Sequence, residues 1–167
     1  MTGGLGTSSI VRPEGLAVGA RVVVNAFGDS VDNVTGKVIA GVRTAPDSLD
    51  LAGTVTCIKQ GFIKKQFGLV NTTLGVVATN AKFDKREVTK VAQMAQAGLI
   101  KTISPVHTTF DGDLIFAVSK GEHKADVNYV GVLADFVIAE AVKRAIKKAD
   151  GFGILPAFKD RTKGWKG

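Results

Sequence analysis

Two stretches of the chain carry a helical period of apolar positions. Val88, Val91, Ala92, Ala95 and Leu99 recur three or four residues apart after Asp84-Lys85-Arg86-Glu87. Asp84 as N-cap and Glu87 three residues on make a capping box, so the spacing predicts a helix ending near Lys101. A second helix is predicted after Asp126, where Val130, Leu133, Ala134, Val137, Ile138, Ala141 and Ala145 form one broad stripe. It ends near Asp150-Gly151, with Lys147 and Lys148 in the last turn as the helix dipole favours.

Short apolar or β-branched runs predict strands at residues 21–26, 37–40, 73–79 and 114–118. The turn residues of 29–36 join the first two as a hairpin. Residues 1–19 are rich in Gly and Ser and read as a loop with a short strand. Residues 44–68, with Pro46, Gly53, Gly61 and Gly68, show no sustained period and predict a mobile linker running up to Asn71. The tail beyond Gly151 reads as poorly ordered, with Phe152, Ile154 and Leu155 able to dock. No internal repeat is visible. Strands with helices outside them suggest a layered α/β core.

Composition narrows the class. At 167 residues, 45% hydrophobic and 22% charged, the chain is one globular domain. No apolar run approaches the ~20 residues of a membrane span. Residues 1–4 lack the basic start and apolar core of a signal peptide. Cys57 is alone, which excludes an internal disulfide and fits a reducing cytoplasm. His107 and His123 do not make a zinc site, so no metal is expected. The net charge of +7 is spread over small groups such as Lys64-Lys65 and Lys143-Arg144. Its aromatic residues are mostly Phe in apolar contexts, so specific nucleic-acid binding is not expected.

Candidate chemistry gathers at Asn71-Thr72-Thr73-Leu74-Gly75-Val76-Val77-Ala78-Thr79-Asn80-Ala81, a polar elbow leading into an apolar strand. Thr is unreactive without a base and an oriented site. A chain break between Asn71 and Thr72 would give Thr72 a free α-amine, titrating near ~7.7–8.0 and able to act as base for its own hydroxyl. Thr73 should point to the opposite face of the strand. Asp111-Gly112-Asp113 brings two carboxylates onto one turn, and their repulsion favours one holding its proton. Asn25, after three valines, could donate to an oxyanion or simply begin a turn. The acidic segment could equally be a solvent-facing turn. Gly3-Gly4-Leu5-Gly6-Thr7 lacks the Lys-Ser/Thr pair of a phosphate loop, and no nucleotide or other cofactor is expected.

The segment from Asn71 to Lys82 resembles the autocleavage segment of the self-processing N-terminal-nucleophile hydrolases. This is the family of L-aminopeptidase/D-amidase/esterase, β-peptidyl aminopeptidases and nylon-oligomer hydrolase. The similarity continues in Gly3-Gly4-Leu5-Gly6-Thr7, Val22-Val23-Val24-Asn25-Ala26-Phe27-Gly28-Asp29, Lys90-Val91-Ala92-Gln93-Met94-Ala95, Gly98-Leu99 and Pro105-Val106-His107-Thr108-Thr109-Phe110-Asp111-Gly112-Asp113-Leu114-Ile115-Phe116-Ala117. It runs from about residue 3 to about residue 145 in one register.

The resemblance implies an α-β-β-α sandwich with the nucleophile strand in a central sheet. It also implies cleavage between Asn71 and Thr72, giving segments 1–71 and 72–167. Thr72 would then be the nucleophile, Asn25 an oxyanion donor, and Asp111 and Asp113 would orient the nucleophile, with His107 structural. The expected substrates are peptides or aminoacyl amides. Family members are longer, so the fold is expected to be incomplete, lacking the usual N-terminal part. Thr2 also stands where the family commonly has an active-site Lys. Such a chain is expected to pair with itself or with a separately encoded N-terminal half. An inactive interaction module is the alternative.

Overall fold

The computed structural model describes residues 1–61 and 71–163. In chain order it contains β1 (Gly4–Val11), β2 (Ala17–Val24), β3 (Asp29–Val31), β4 (Val38–Ala40) and α1 (Thr54–Lys59). There follow β5 (Leu74–Ala81), α2 (Lys85–Thr102), β6 (Ile103–Ser104), β7 (Leu114–His123), α3 (Val127–Lys148) and α4 (Asp160–Lys163). The main sheet has the order β1-β2-β5-β7 and a smaller one the order β4-β3-β6. β1 and β2 form an antiparallel hairpin, β2 pairs antiparallel with β5, and β5 pairs parallel with β7.

The β5-α2-β7 crossover is the unit that places the site. Parallel neighbours need a long connection, and α2 supplies it, so β5 and β7 begin side by side at one end of the sheet. Both long helices start as their sequences require. Asp84 accepts from the N–H groups of Arg86 and Glu87 while Glu87 reaches back to the Asp84 N–H. Asp126 accepts from Asn128 and Tyr129.

One face of the main sheet is buried under α2 and α3. Val18, Val22 and Val24 of β2 and Val77 and Ala81 of β5 point that way, onto Val130, Ala134, Val137, Ile138 and Ala141 of α3. Burying each such Val or Ile contributes roughly 1.5–3 kcal/mol. The other face is apolar yet open. Leu5, Val23, Leu74 and Leu114 stand in one row across all four strands, each close to half exposed. Val76, Phe116 and Val118 extend this patch.

The structure departs from the sequence reading in four places. Residues 1–19 hold an eight-residue strand and the start of its hairpin partner rather than a loop with a short strand. Of the inward positions of β1, Gly4, Gly6 and Ser8 carry no hydrophobic side chain and only Ile10 does, so hydrophobic alternation hardly marks it. The reason is close approach: a Cβ on Gly6 would lie 2.0 Å from the Ala141 carbonyl oxygen of α3. The 37–40 strand pairs with β3, a strand formed within the predicted turn segment, and not with the 21–26 strand expected as its hairpin partner.

Within 44–68 the chain forms α1, whose first N–H is capped from far upstream. The Asp29 carboxylate accepts from Thr54 N at 2.5 Å, Thr54 Oγ1 at 2.7 Å and Val42 N at 3.1 Å. The stretch 62–70, which includes the approach to Asn71 read as a mobile linker, lies outside the described residues. Lastly, Phe152, Ile154 and Leu155 stay exposed. The segment is instead fixed through its backbone, Thr2 donating from N (3.1 Å) and Oγ1 (3.3 Å) to the Pro156 carbonyl.

The glycine row gives a paired expectation. Gly6→Ala should cost about 1–3 kcal/mol or more, because backbone of α3 occupies the space of the methyl group. Gly19→Ala, whose added Cβ meets nothing nearer than 3.6 Å, should stay within about 0.5 kcal/mol of the parent. Urea unfolding of the two variants would check this, and equal losses would refute the close-packing account.

Candidate functional site

The site forms where β5 and β7 begin and β2 ends. Asn71 and Thr72 lie just ahead of β5 and are held from both sides. Asn71 pairs in parallel with Asp111. On the β7 side, Asn71 N donates to Phe110 O at 3.1 Å, Gly112 N to Asn71 O at 2.9 Å and Leu114 N to Thr73 O at 3.0 Å. On the β2 side, Thr72 N donates to Asn25 O at 2.8 Å. The peptide link between Asn71 and Thr72 is thus part of a ladder, not a free loop.

Strand alternation then separates the two threonines. Thr73 is fully buried on the helix side, whereas Thr72 is half-buried and shares the outward face with Leu74. Asn25 continues the outward positions of β2 and stands across from Thr72. The Thr72 hydroxyl donates to the carbonyl oxygen of Asn71 at 2.7 Å. Gly112 is the neighbour of Thr72 on the β7 side, and a Cβ there would come within 3.0 Å of Thr72 Oγ1. A side chain at position 112 would crowd the hydroxyl.

Both carboxylates hold backbone around this link. Asp113 Oδ1 accepts from Thr73 N at 2.7 Å. Asp111 Oδ1 accepts from Phe27 N at 3.1 Å, and its Oδ2 accepts from Thr108 Oγ1 at 2.7 Å. The Asp111–Phe27 bond ties the β7 entry to the segment that follows Asn25. Phe27 and Phe110 stack edge to face above it, their centroids 5.2 Å apart.

The Asp113 side chain is 1% exposed, and its Oδ2 is buried without a hydrogen-bond partner. His107 Nδ1 lies 3.7 Å from that oxygen, from a residue held at a left-handed φ of 55°. Burial is the main influence on the Asp113 carboxyl and pushes its pKa above the ordinary 3.8. The Thr73 N–H bond opposes this, the Asp111 charge adds to it, and His107 opposes it more weakly. The repulsion between the two carboxylates is therefore the lesser cause.

A cavity of about 220 Å³ opens beside Asn25, lined also by Thr2, Gly3, Phe27, Gly28 and Arg43. Among the described residues no group of three His, Cys, Asp or Glu gathers as it would around a metal ion. No helix among them is long and apolar enough to cross a membrane.

The structure brings Asn25, Asn71, Thr72, Asp111 and Asp113 together at one end of the sheet. Sequence reasoning missed the Gly112 amide and the Thr108 hydroxyl. The parallel register that aligns Gly112 with Thr72 is a tertiary fact with no local signal. Thr108 could have been noticed as an ST-type partner three residues before Asp111.

The chain is similar in sequence and in fold to known proteins. An uncharacterized aminopeptidase of Mycobacterium leprae is 35% identical over 175 residues, spanning 95% of this chain and 48% of that protein. A 6-aminohexanoate-oligomer endohydrolase of Kocuria sp. is 29% identical over 90 residues, spanning 46% of this chain and 25% of that protein. The structure of the L-aminopeptidase D-Ala-esterase/amidase of Ochrobactrum anthropi, a variant of the N-terminal-nucleophile hydrolase fold, superimposes with a TM-score of 0.53. That match covers 98% of this chain and 49% of the other at 18% identity, so the layered α/β fold is shared.

The chain spans about half the length of the mycobacterial relatives, 48% of one and 53% of another. The described part has helices on one face of its main sheet and an open apolar surface on the other. A model of Peptidase family S58 matches residues 1–152, and the chain belongs to that family.

Proposed function

We propose that the chain carries the self-processing and nucleophilic centre of an N-terminal-threonine hydrolase acting on peptide or aminoacyl-amide bonds. The observation that carries this reading is the Thr72 hydroxyl, 2.7 Å from the carbonyl oxygen of Asn71 on the outward face of the sheet. In the first step Oγ1 attacks the Asn71 carbonyl carbon. The C–N bond to Thr72 breaks as the hydroxyl proton passes to nitrogen, leaving an ester. Water opens the ester, giving an Asn71 carboxylate and a Thr72 with both hydroxyl and α-amine free. That amine, with an ordinary pKa near ~8, then serves as base when Oγ1 attacks a substrate carbonyl and forms an acyl-enzyme.

Asn25 stands across from Thr72, where its side-chain amide can donate to the oxyanion of a substrate. Asp111 and Asp113 act in this scheme through backbone. Asp113 fixes Thr73 beside the reacting link and Asp111 fixes the Phe27 and Thr108 segments around it, rather than the hydroxyl itself, and fixed geometry is what makes an intramolecular attack fast. The relatives named as aminopeptidase and 6-aminohexanoate-oligomer endohydrolase support an amide substrate. The lone Cys57 is in keeping with a reducing, cytoplasmic setting.

One observation favours a second reading. The open row of Leu5, Val23, Leu74 and Leu114 calls for a covering layer. A second copy or a separately encoded N-terminal half would supply it, and without one the chain acts as an inactive interaction module.

Two outcomes follow. The purified chain, alone and with its covering partner where one is found, should yield segments 1–71 and 72–167 by intact mass. It should then hydrolyse aminoacyl p-nitroanilides, and Thr72→Ala should do neither. Equal hydrolysis by chain and variant would sink Thr72 chemistry.

The second outcome concerns pH. The Asp113 carboxyl has its folded-state pKa raised, so between about 4 and the folded value the folded state binds more protons than the unfolded one. Its contribution to stability is greatest below the unfolded value and falls as pH rises through that window. Asp113→Asn keeps an acceptor for Thr73 N but has no proton to lose. In a Thr72→Ala background, the Asn variant should gain stability relative to its parent as pH rises from about 4 to 7. Parallel urea-midpoint profiles would contradict this.

A further inference from the structure

We infer that the backbone N–H of Gly112 is the oxyanion donor for cleavage of the Asn71–Thr72 link. This rests on the self-cleavage reading above and adds to it the group that stabilises the transition state. The atom that gains negative charge when Thr72 Oγ1 attacks is the Asn71 carbonyl oxygen. That oxygen already accepts from Gly112 N at 2.9 Å, within the range required of an oxyanion donor.

Three features make this amide more than another rung of the ladder. Its acceptor is the carbonyl to which the Thr72 hydroxyl itself donates, so nucleophile and donor converge on one group. Its position is fixed on both sides, by the Asn71–Asp111 pairing and by Asp113 Oδ1 on Thr73 N. Its residue is glycine where a Cβ would stand 3.0 Å from the Thr72 oxygen, so the hydroxyl keeps room to swing from the carbonyl oxygen towards the carbon.

The bonds balance without any added reactant but water. Oγ1–C forms and C–N breaks, the hydroxyl proton ends on the Thr72 nitrogen, and the negative charge that Asn71 O carries between the two events lies against the Gly112 N–H. Asn25 is thereby left to the substrate step, since in the uncleaved chain it meets Thr72 through its own backbone carbonyl.

The experiment removes the donor and adds no atoms, by placing glycolic acid at position 112 so that an ester replaces the Asp111–Gly112 amide. A matched control places an ester at the Leu114 nitrogen, which donates to Thr73 O at 3.0 Å in the same ladder but touches no reacting atom. Self-cleavage rates are read by intact mass, beside the unmodified chain and Thr72→Ala, and circular dichroism confirms that each is folded.

The ester at position 112 should slow cleavage by about 10²–10³-fold, and the ester at 114 by no more than about threefold. Cleavage of the 112 ester at nearly the native rate, or equal slowing by both esters, would overturn the assignment of Gly112 while leaving Thr72 in place. An unmodified chain that behaves as Thr72→Ala would instead bring down the self-cleavage reading, and this inference with it.

Discussion

The close approach of α3 to the edge of the sheet sets the rest of the molecule. At Gly4 and Gly6 the backbone of β1 comes so near the carbonyls of Ala145 and Ala141 that no side chain fits between. On its other flank, α3 meets α2 at Gly98, where a Cβ would lie 2.6 Å from the Asp135 carbonyl oxygen. With α3 wedged between two glycine contacts, Val137 and Ile138 reach the inner face of the sheet, and α2 has one course from β5 to β7. That course makes β5 and β7 parallel neighbours. Their starts, and so Thr72 and Gly112, then lie side by side.

The site follows from the strand period applied at a sheet end. Neighbouring residues face opposite sides, so Thr73 closes the core while Thr72 faces the open side. The acidic residues serve the main chain between them. A carboxylate accepting from backbone N–H usually has a lowered pKa, yet Asp113 moves upward because burial outweighs the backbone bond from Thr73 and the weaker influence of His107. Asp111, with Phe27 N and Thr108 as partners, couples the turn to the segment after Asn25.

What the sequence disclosed was what neighbours along the chain decide. The capping box at Asp84 and Glu87, the stripe of α3 and the core of β5 are local patterns, and each stands where its pattern placed it. The full extent of β1 was hidden behind the short strand read there, because Gly4 and Gly6 answer to a helix more than 130 positions away rather than to a hydrophobic strand period. α1 was illegible because its cap is Asp29, 25 residues upstream. At the site, residue types and family likeness named Asn25, Thr72, Asp111 and Asp113. The contribution of Gly112 is a backbone N–H, which every residue but proline possesses. No reading of side chains could single it out before the register was known.

The position of the Asn71–Thr72 link within the topology has a mechanical consequence. Upstream of it lie β1 and β2, and downstream lie β5, α2, β7 and α3. The β2–β5 ladder and the contact of α3 with β1 both cross that divide. A nick there would cut the covalent thread without cutting the hydrophobic core. The two pieces would remain one body, two strand pairs joined edge to edge along the β2–β5 border of a single sheet, and would part only on unfolding.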